Sequence, residues 1–308
     1  MACELTSKPA WTNLASAQVE VEESSCAFGC QATDELLHRF GDYQIYRCRE
    51  CGLVRLNPRL SEAQLSSLYA RDYFSGEHAT GYDSYEQDAS YYQRTFARRL
   101  KLVKRYVEQG RLLDIGCGLG YSLQVAGREG FDVYGLDLSP YAVEQCEKIF
   151  PGRVREGSLT SGLYPHESFD VVTLSDVFEH VYRPREFVQA LHETLRDNGI
   201  ALVTTPNHRS VLSRLSGRNW ISFKIPEHVY FYTPETLKKL VTPLFTIERI
   251  QSDGQYCSLE FLAKRIKTLS RGVGTAMHTS VRAMGLGGLP VYVNSGSMTA
   301  VLRKNPSL

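Results

Sequence analysis

The stretch that decides the fold lies at residues 112–120 and reads Leu112-Leu113-Asp114-Ile115-Gly116-Cys117-Gly118-Leu119-Gly120. An apolar run here leads into glycines at alternate positions, and a helix is predicted over residues 120–129. Glycine tolerates positive φ and lets a ligand approach the backbone closely. The G-x-G-x-G spacing departs from the G-x-G-x-x-G of dinucleotide-binding loops, because Tyr121 stands where the third glycine of that pattern falls. The stretch therefore predicts a strand–loop–helix turn suited to an uncharged or zwitterionic ligand.

The second strand of this pattern ends on an acidic residue, in Gly135-Leu136-Asp137-Leu138-Ser139. An acid at the tip of the second strand is placed to accept hydrogen bonds from ribose hydroxyls. Asp137 follows Asp114 by 23 residues, close to the offset of about 20 that this geometry expects. The glycine loop and Asp137 together predict a site for a nucleoside. The alternative is a tight turn in an α/β protein with another role.

Strand and helix patterns alternate from residue 111 onward. Helices are expected at 120–129, 139–149 and 184–196. Strands are expected at 111–115, 132–136, 153–156, 169–174, 200–204, 244–250 and 292–302. Such alternation argues for a parallel sheet with helices on both faces. We therefore expect an α/β fold with a doubly wound, seven-stranded sheet.

These motifs resemble those of the class I methyltransferases that use S-adenosyl-L-methionine (SAM), over about residues 85–250 with a weaker tail to 303. The resemblance implies a Rossmann-like, mostly parallel sheet whose last strand is antiparallel, and SAM as the cofactor. The cofactor-binding positions that it implies are Asp114, Gly116, Gly118, Gly120, Asp137, Leu138, Ser158, Ser175 and Asp176. In similar enzymes a tyrosine-rich segment before the sheet closes over the amino-acid end of SAM, which here suggests Tyr82 and Tyr85.

Candidate catalytic residues follow the fourth and fifth strands, where ligands of open α/β sheets bind. The cluster Asp176-Val-Phe-Glu179-His180 resembles the same position in O-methyltransferases of ubiquinone synthesis, where it is associated with a divalent ion. We therefore consider a divalent ion near Asp176, Glu179 and His180, and a general-base role for His180. His228 is a further candidate, in a loop before the predicted helix start at Thr233. Alternatively, His180 orients the following helix, and His228 belongs to a lid that packs on itself.

Four cysteines near the N-terminus have the spacing of a zinc site. Cys26 and Cys30 form one pair, Cys48 and Cys51 form a second pair, and 17 residues lie between Cys30 and Cys48. Residues 1–25 do not read as a secretory signal, so zinc is favoured over disulfides. Four thiolates close the coordination sphere, which makes such a site structural. The segment is similar to N-terminal ribbons of methyltransferases acting on deoxysugars, although zinc ribbons also bind nucleic acids and proteins.

Four regions follow from these patterns. We expect a flexible tail at 1–25, a zinc ribbon at 26–60 and a helical cap or linker at 61–109. The SAM-binding domain is expected to span 110–308, with lid insertions at about 207–235 and 256–288.

Charge and hydropathy limit the classes of partner and the location that we expect for the protein. The formal net charge is +1, whereas dedicated duplex-binding proteins carry a clear basic excess, so a nucleic-acid partner is not favoured. No apolar run approaches the roughly 18 residues that span a bilayer, and we expect a cytoplasmic protein. Basic residues between Arg94 and Arg105 suggest either a solvated helix face or an acceptor that is anionic or carrier-linked. A monomer and a homodimer are both open.

The sequence therefore favours a small-molecule methyltransferase, with transfer to oxygen in specialised-metabolite or cofactor biosynthesis. One alternative is a methyltransferase of RNA or protein that uses the ribbon for recognition. The strand-four tip, Ser175-Asp176-Val177-Phe178, lacks the Asn/Asp-Pro-Pro-(Tyr/Phe) motif of many nitrogen-directed enzymes, which counts against exocyclic-nitrogen chemistry. The second alternative is a non-catalytic scaffold that binds SAM.

Overall fold

The computed structural model describes residues 20–67, 88–242, 244–269 and 271–306. Its main sheet has seven strands in the order β12-β13-β10-β9-β6-β7-β8. These strands are β6 (Arg111–Ile115), β7 (Asp132–Asp137), β8 (Val154–Glu156), β9 (Phe169–Ser175), β10 (Leu195–Pro206), β12 (Phe245–Ser258) and β13 (Pro290–Lys304). β13 is antiparallel to both of its neighbours, and the pairs among β6 to β10 are parallel. The predicted doubly wound, mostly parallel sheet is confirmed.

Helices cover both faces of this sheet. The helices of the described residues are α1 (Glu62–Ser67), α2 (Ala89–Val103), α3 (Tyr121–Arg128), α4 (Pro140–Glu147), α5 (Pro184–Thr194), α6 (Val211–Ser216), α7 (Pro234–Val241), α8 (Leu259–Leu269) and α9 (Arg271–Ala283). Side chains alternate between the faces of a strand, so Val171 packs with α2 and α3, whereas Val172 packs with α5 and α7. The sheet is thus buried on both sides, as the apolar runs of its central strands require.

The last two strands extend further than the sequence pattern predicts. β12 and β13 continue as an antiparallel hairpin in which Gln255 pairs with Val293 and Ser258 pairs with Pro290. Polar residues interrupt the apolar alternation there, so periodicity alone underestimates both strands. Helices α8 and α9 connect the two strands and lie within the predicted insertion at 256–288. None of the helices in the described ranges is both long and apolar enough to cross a membrane.

A second sheet of four strands lies at the N-terminus, in the order β11-β4-β3-β2. Three of its strands belong to the cysteine-rich segment: β2 (Asp34–Phe40), β3 (Tyr43–Cys48) and β4 (Val54–Asn57). The fourth strand, β11 (Tyr230–Phe231), comes from the segment after β10. The insertion predicted as a lid at 207–235 therefore contributes a strand to the ribbon sheet.

The predicted tail at 1–25 requires a correction at its end. Among the residues described there, β1 (Val21–Glu22) pairs with β5 (Arg59–Leu60). Ser24 is buried and its hydroxyl donates a hydrogen bond to the Leu56 carbonyl at 2.6 Å. These contacts fix the chain before the first cysteine, although its Ser- and Glu-rich composition suggests a flexible segment.

Candidate functional site

A cavity of about 530 Å³ opens at the carboxyl ends of β6, β7, β8 and β9. Most of the residues predicted to bind the cofactor line it, each directly after or at the end of a strand. These residues are Gly116, Gly118, Asp137, Leu138, Ser158, Ser175 and Asp176. Parallel strands end at one edge of a sheet, and this shared edge brings together residues of this set that are up to 60 positions apart in the chain. Tyr82 and Tyr85 lie outside the described residues.

The glycine loop turns tightly enough to expose its backbone to the cavity. Gly116 and Gly118 have φ values of 71° and 52°, which favour glycine. The amide of Gly116 donates to the Leu136 carbonyl at 2.7 Å, which ties the loop to the neighbouring strand. A Cβ atom on Gly116 would collide with the side chain of Val177. Any larger residue at this position would therefore displace Val177, which also lines the cavity.

Asp137 is held in one orientation by the loop that it faces. Its Oδ2 accepts a hydrogen bond from the Gly118 amide at 2.8 Å, and its Oδ1 accepts one from the Ser139 amide at 2.9 Å. Burial raises the pKa of this carboxyl, and the two amides oppose that effect. A carboxylate has about four lone-pair sites, so two remain for ribose hydroxyls. The residue is thus pre-oriented for a nucleoside.

Two residues of the first motif support the site without lining it. Asp114 is buried and accepts hydrogen bonds from the hydroxyls of Ser122 and Thr173, the latter at 2.5 Å. Burial raises the pKa of Asp114 to about 6. Gly120 begins α3, and a Cβ atom there would lie 2.9 Å from the sulfur of Cys146. Both were predicted to bind the cofactor, but neither is among the residues that line the cavity: Asp114 links β6 to α3 and β9, and Gly120 packs against Cys146 of α4.

His180 lines the cavity and has a defined tautomer. Its Nδ1 lies 3.0 Å from the backbone carbonyl of Glu227, and because a carbonyl only accepts, Nδ1 carries the proton. Burial and the positive charge of Lys224 lower the pKa of His180 to about 3. The imidazole is therefore neutral at pH 7, and its Nε2 is a proton acceptor. An unprotonated ring nitrogen on a cavity-lining histidine is one condition for a general base; a pKa near the working pH is the other, and burial moves the pKa of His180 away from it.

Glu179 and His228 lie behind His180 and are not among the cavity-lining residues. Both are nearly fully buried. The rings of His180 and His228 pack edge to face, with their centres 4.6 Å apart. Oε2 of Glu179 accepts a hydrogen bond from the Thr205 hydroxyl at 2.8 Å. Burial, together with the charge of Asp176, raises the pKa of Glu179 to about 8. The structure therefore places these two catalytic candidates out of direct contact with the cavity.

The geometry changes the predicted divalent-ion site. Donor atoms of Glu179, His180 and His228 lie within 4.8 Å of one another, and Asp176 is not part of that group. Instead, Asp176 lies 3.9 Å from Arg99, which forms a buried ion pair with Asp253 at 2.9 Å. An ion held by Asp176, Glu179 and His180 together is therefore not supported. The reason is that Asp176, with φ of 57°, turns its carboxylate towards α2.

Glu179→Gln should change how stability depends on pH. The unfolded carboxyl has a pKa near 4.5 and the folded one about 8, so the folded state holds a proton that the unfolded state has released. Folding stability is thus lost as the pH rises from 4.5 to 8. The difference in melting temperature, variant minus wild type, should increase by about 3 °C or more between pH 5 and pH 8. Calorimetry measures these melting temperatures. The control is Glu144→Gln, which changes an exposed acid on α4. A difference between Glu179→Gln and wild type that is equal at both pH values would contradict this prediction.

Part of the cavity wall was not predicted from the sequence. The cavity is also lined by Leu159, Tyr182, Arg183 and Phe187. Leu65 of α1, which follows the ribbon, also reaches it. These residues do not belong to a recognisable sequence motif. Only their position after strand ends or after the ribbon connects them with the site.

The four cysteines meet in one cluster. All four sulfur atoms lie within 4.8 Å of one another, and those of Cys26 and Cys51 are 3.4 Å apart. A tetrahedral zinc ion with Zn–S bonds of about 2.3 Å places its sulfurs about 3.8 Å apart. Burial and the neighbouring Cys26 raise the pKa of Cys30 to about 12, so a cation is needed to hold that sulfur as a thiolate at pH 7. The residues present therefore fit a zinc ion.

Sequence comparison places the chain in a family. A family model described as "Methyltransferase domain" matches residues 82–242, just over half of the chain, and the chain belongs to that family. The mitochondrial ubiquinone biosynthesis O-methyltransferase of Schizosaccharomyces pombe is 35% identical over 132 residues, which cover 40% of this chain and 46% of that protein. A ubiquinone biosynthesis O-methyltransferase of Cereibacter sphaeroides is 32% identical over 146 residues, covering 42% and 58%. The chain thus spans about half the length of these curated relatives.

The chain is also similar to solved structures. A SAM-dependent methyltransferase from Archaeoglobus fulgidus has 22% sequence identity and a TM-score of 0.48, over 69% of this chain and 94% of that chain.

Proposed function

We propose that this chain transfers the methyl group of SAM to an oxygen of a small-molecule acceptor. The observation that carries the proposal is one cavity in which Asp137, oriented for a ribose, and His180, a neutral base, both take part. The methyltransferase family match and the two relatives named for O-methylation in ubiquinone biosynthesis support it. A role in cofactor or specialised-metabolite biosynthesis follows by the same analogy.

Methyl transfer from a sulfonium is a displacement in which the attacking atom lies in line with the breaking C–S bond. SAM supplies the electrophilic methyl group, so the protein's task is alignment and exclusion of water. A hydroxyl acceptor must also lose its proton as it attacks. We assign that proton to Nε2 of His180, while the Glu227 carbonyl keeps the ring in the tautomer that can accept it.

Turnover is the direct test of this function. The protein is incubated with SAM labelled in its methyl group and with a panel of hydroxylated aromatic, sugar and carrier-linked acceptors. We expect label in an ether product of at least one hydroxylated acceptor, and none when its hydroxyl is replaced by hydrogen. Tight SAM binding without transfer to any acceptor would favour a non-catalytic scaffold instead.

We also propose that residues 26–60 form a ribbon that binds one structural zinc ion through Cys26, Cys30, Cys48 and Cys51. The amides of Gly29 and Gly52 each donate to the carbonyl of a preceding cysteine at 2.9 Å, which forms the turns at the two pairs. With four thiolates bound, such an ion leaves no position for a substrate, so its contribution is to folding.

Cys48→Ser should abolish zinc binding. Three thiolates hold zinc far more weakly than four, and loss of a structural ion destabilises a small module strongly. Wild-type protein should contain about one zinc per chain by elemental analysis, and the variant should contain less than about a fifth of that. Cys257→Ser, outside the cluster, is the matched control and should keep its zinc. Wild-type protein purified without zinc, yet folded and stable, would contradict the proposal.

A further inference from the structure

We propose that the zinc ribbon is a positioning element of the methyl-transfer site, because its strands hold the backbone that orients His180 and the side chain of Tyr182. This inference rests on the proposed function, and the test below separates the two. It also differs from the view of the ribbon as a separate recognition module.

The first connection runs through the ribbon sheet. Tyr230 and Phe231 of β11 pair with Arg55 and Val54 of β4. The ladder continues one step further, where the Leu56 amide donates to the Val229 carbonyl at 3.0 Å. The segment after β10 is thus hydrogen-bonded to the ribbon as a fourth strand.

The same segment holds His180 from its other side. The Val229 amide donates to the Glu179 carbonyl at 2.9 Å, and Nδ1 of His180 donates to the Glu227 carbonyl at 3.0 Å. Residues 227–229 therefore lie between strand β4 and the candidate base. Because most of these contacts are backbone hydrogen bonds, a shift of β4 moves the carbonyl that sets the tautomer of His180.

The second connection runs through β5 and α1. The Tyr182 hydroxyl donates to the Leu60 carbonyl at 2.8 Å, and the guanidinium of Arg59 lies 4.2 Å from the centre of the Tyr182 ring. Tyr182 lines the cavity, and so does Leu65, five residues beyond Leu60. The chain leaving the ribbon is therefore part of the cavity wall.

The cysteines control where β4 begins. The Leu53 carbonyl accepts a hydrogen bond from the Cys48 amide at 2.9 Å, so the turn at the second cysteine pair leads directly into β4. Leu53 is 1% exposed and packs in the main core, and Lys239 of α7 donates to the Cys51 carbonyl at 3.2 Å. An ion at the sulfurs would fix this turn against the methyltransferase domain. Zinc occupancy and the geometry of the cavity are then linked, and by reciprocity each stabilises the other.

Hydrogen–deuterium exchange of the full chain, before and after zinc is removed with a chelator, tests the first connection. We expect exchange at residues 227–232 to become at least tenfold faster together with that of the ribbon, while β6 keeps its protection. Faster exchange confined to residues 26–60 would overturn the proposal. This readout needs neither an acceptor nor turnover, so it holds whatever the fate of the proposed function.

The rate of zinc release tests the second connection. It is measured from the zinc-bound protein, so it stays informative even if removal of zinc unfolds the whole chain. Saturating S-adenosylhomocysteine should slow the transfer of zinc to a chelator at least threefold in the wild type. Tyr182→Phe should reduce this ratio by half or more, because it removes the hydrogen bond to Leu60. Tyr46→Phe, which removes a hydroxyl bonded within the ribbon to Gln44, is the control and should keep the ratio.

The outcomes of the zinc-release experiment separate the two claims. If S-adenosylhomocysteine binds but leaves zinc release unchanged, the positioning role is wrong and the proposed function stands. If it does not bind the wild-type protein at all, the proposed function fails, and the exchange experiment alone decides the positioning role.

Discussion

Asp137→Ala will weaken the binding of S-adenosylhomocysteine at least about a hundredfold. The carboxylate is placed to accept two hydrogen bonds from the ribose, and hydrogen bonds to a charged group contribute about 1.5–3 kcal/mol each. The variant also loses the bonds from the Gly118 and Ser139 amides, which hold the loop in its binding conformation. Isothermal titration calorimetry measures the change directly.

The matched control for this variant lies on the same strand. Asp132→Ala removes an acid at the opposite end of β7, where it forms an exposed ion pair with Arg153 at 2.7 Å. Its affinity for S-adenosylhomocysteine should equal that of the wild type. Equal affinities of all three proteins would show that Asp137 does not hold the ribose.

His180→Ala will lower kcat about 10²- to 10⁴-fold, the range that removal of a general base typically produces. Its affinity for S-adenosylhomocysteine should change by less than about fivefold, because the nucleoside contacts of the glycine loop and Asp137 remain. His166→Ala, at an exposed position outside the cavity, should leave both quantities unchanged. Steady-state kinetics with an accepted substrate provides kcat, and an unchanged kcat would remove His180 from the mechanism.

The pH profile gives an independent check on the same residue. Since burial lowers the pKa of His180 to about 3, the base form is present throughout the range from pH 5 to pH 8. The wild-type kcat should therefore show no acid limb near pH 6.5, where an unperturbed histidine would titrate. A tenfold fall in kcat per pH unit below 6.5 that disappears in His180→Ala would contradict the buried, neutral base.

The central sheet and the cofactor edge are predictable from the sequence for a simple physical reason. Strands buried on both faces are nearly continuous apolar runs, as at residues 200–203, and each ends in a short polar or glycine-rich turn. Positions such as Asp137 and Ser158 follow once the strand ends are known. The roles of Asp114 and Gly120 do not, because a motif does not show which of its members face the ligand.

The relation between the ribbon and the site was beyond sequence reasoning. β11 has two residues, too few for any periodicity, and its partner strand lies more than 170 residues earlier in the chain. A separation of 122 residues likewise hides the contact between Tyr182 and Leu60. His228 was one of the catalytic candidates, yet it is not among the residues that line the cavity and lies behind His180, where the segment 227–229 is hydrogen-bonded to β4.

The account depends on the cavity at the carboxyl ends of β6 to β9 binding a sulfonium nucleoside. A crystal structure of the protein with S-adenosylhomocysteine tests this most directly. It should show the ribose hydroxyls within hydrogen-bonding distance of the Asp137 carboxylate and the adenine beside Ser158. A cavity that stays empty at saturating S-adenosylhomocysteine, or a nucleoside bound elsewhere on the molecule, would contradict it.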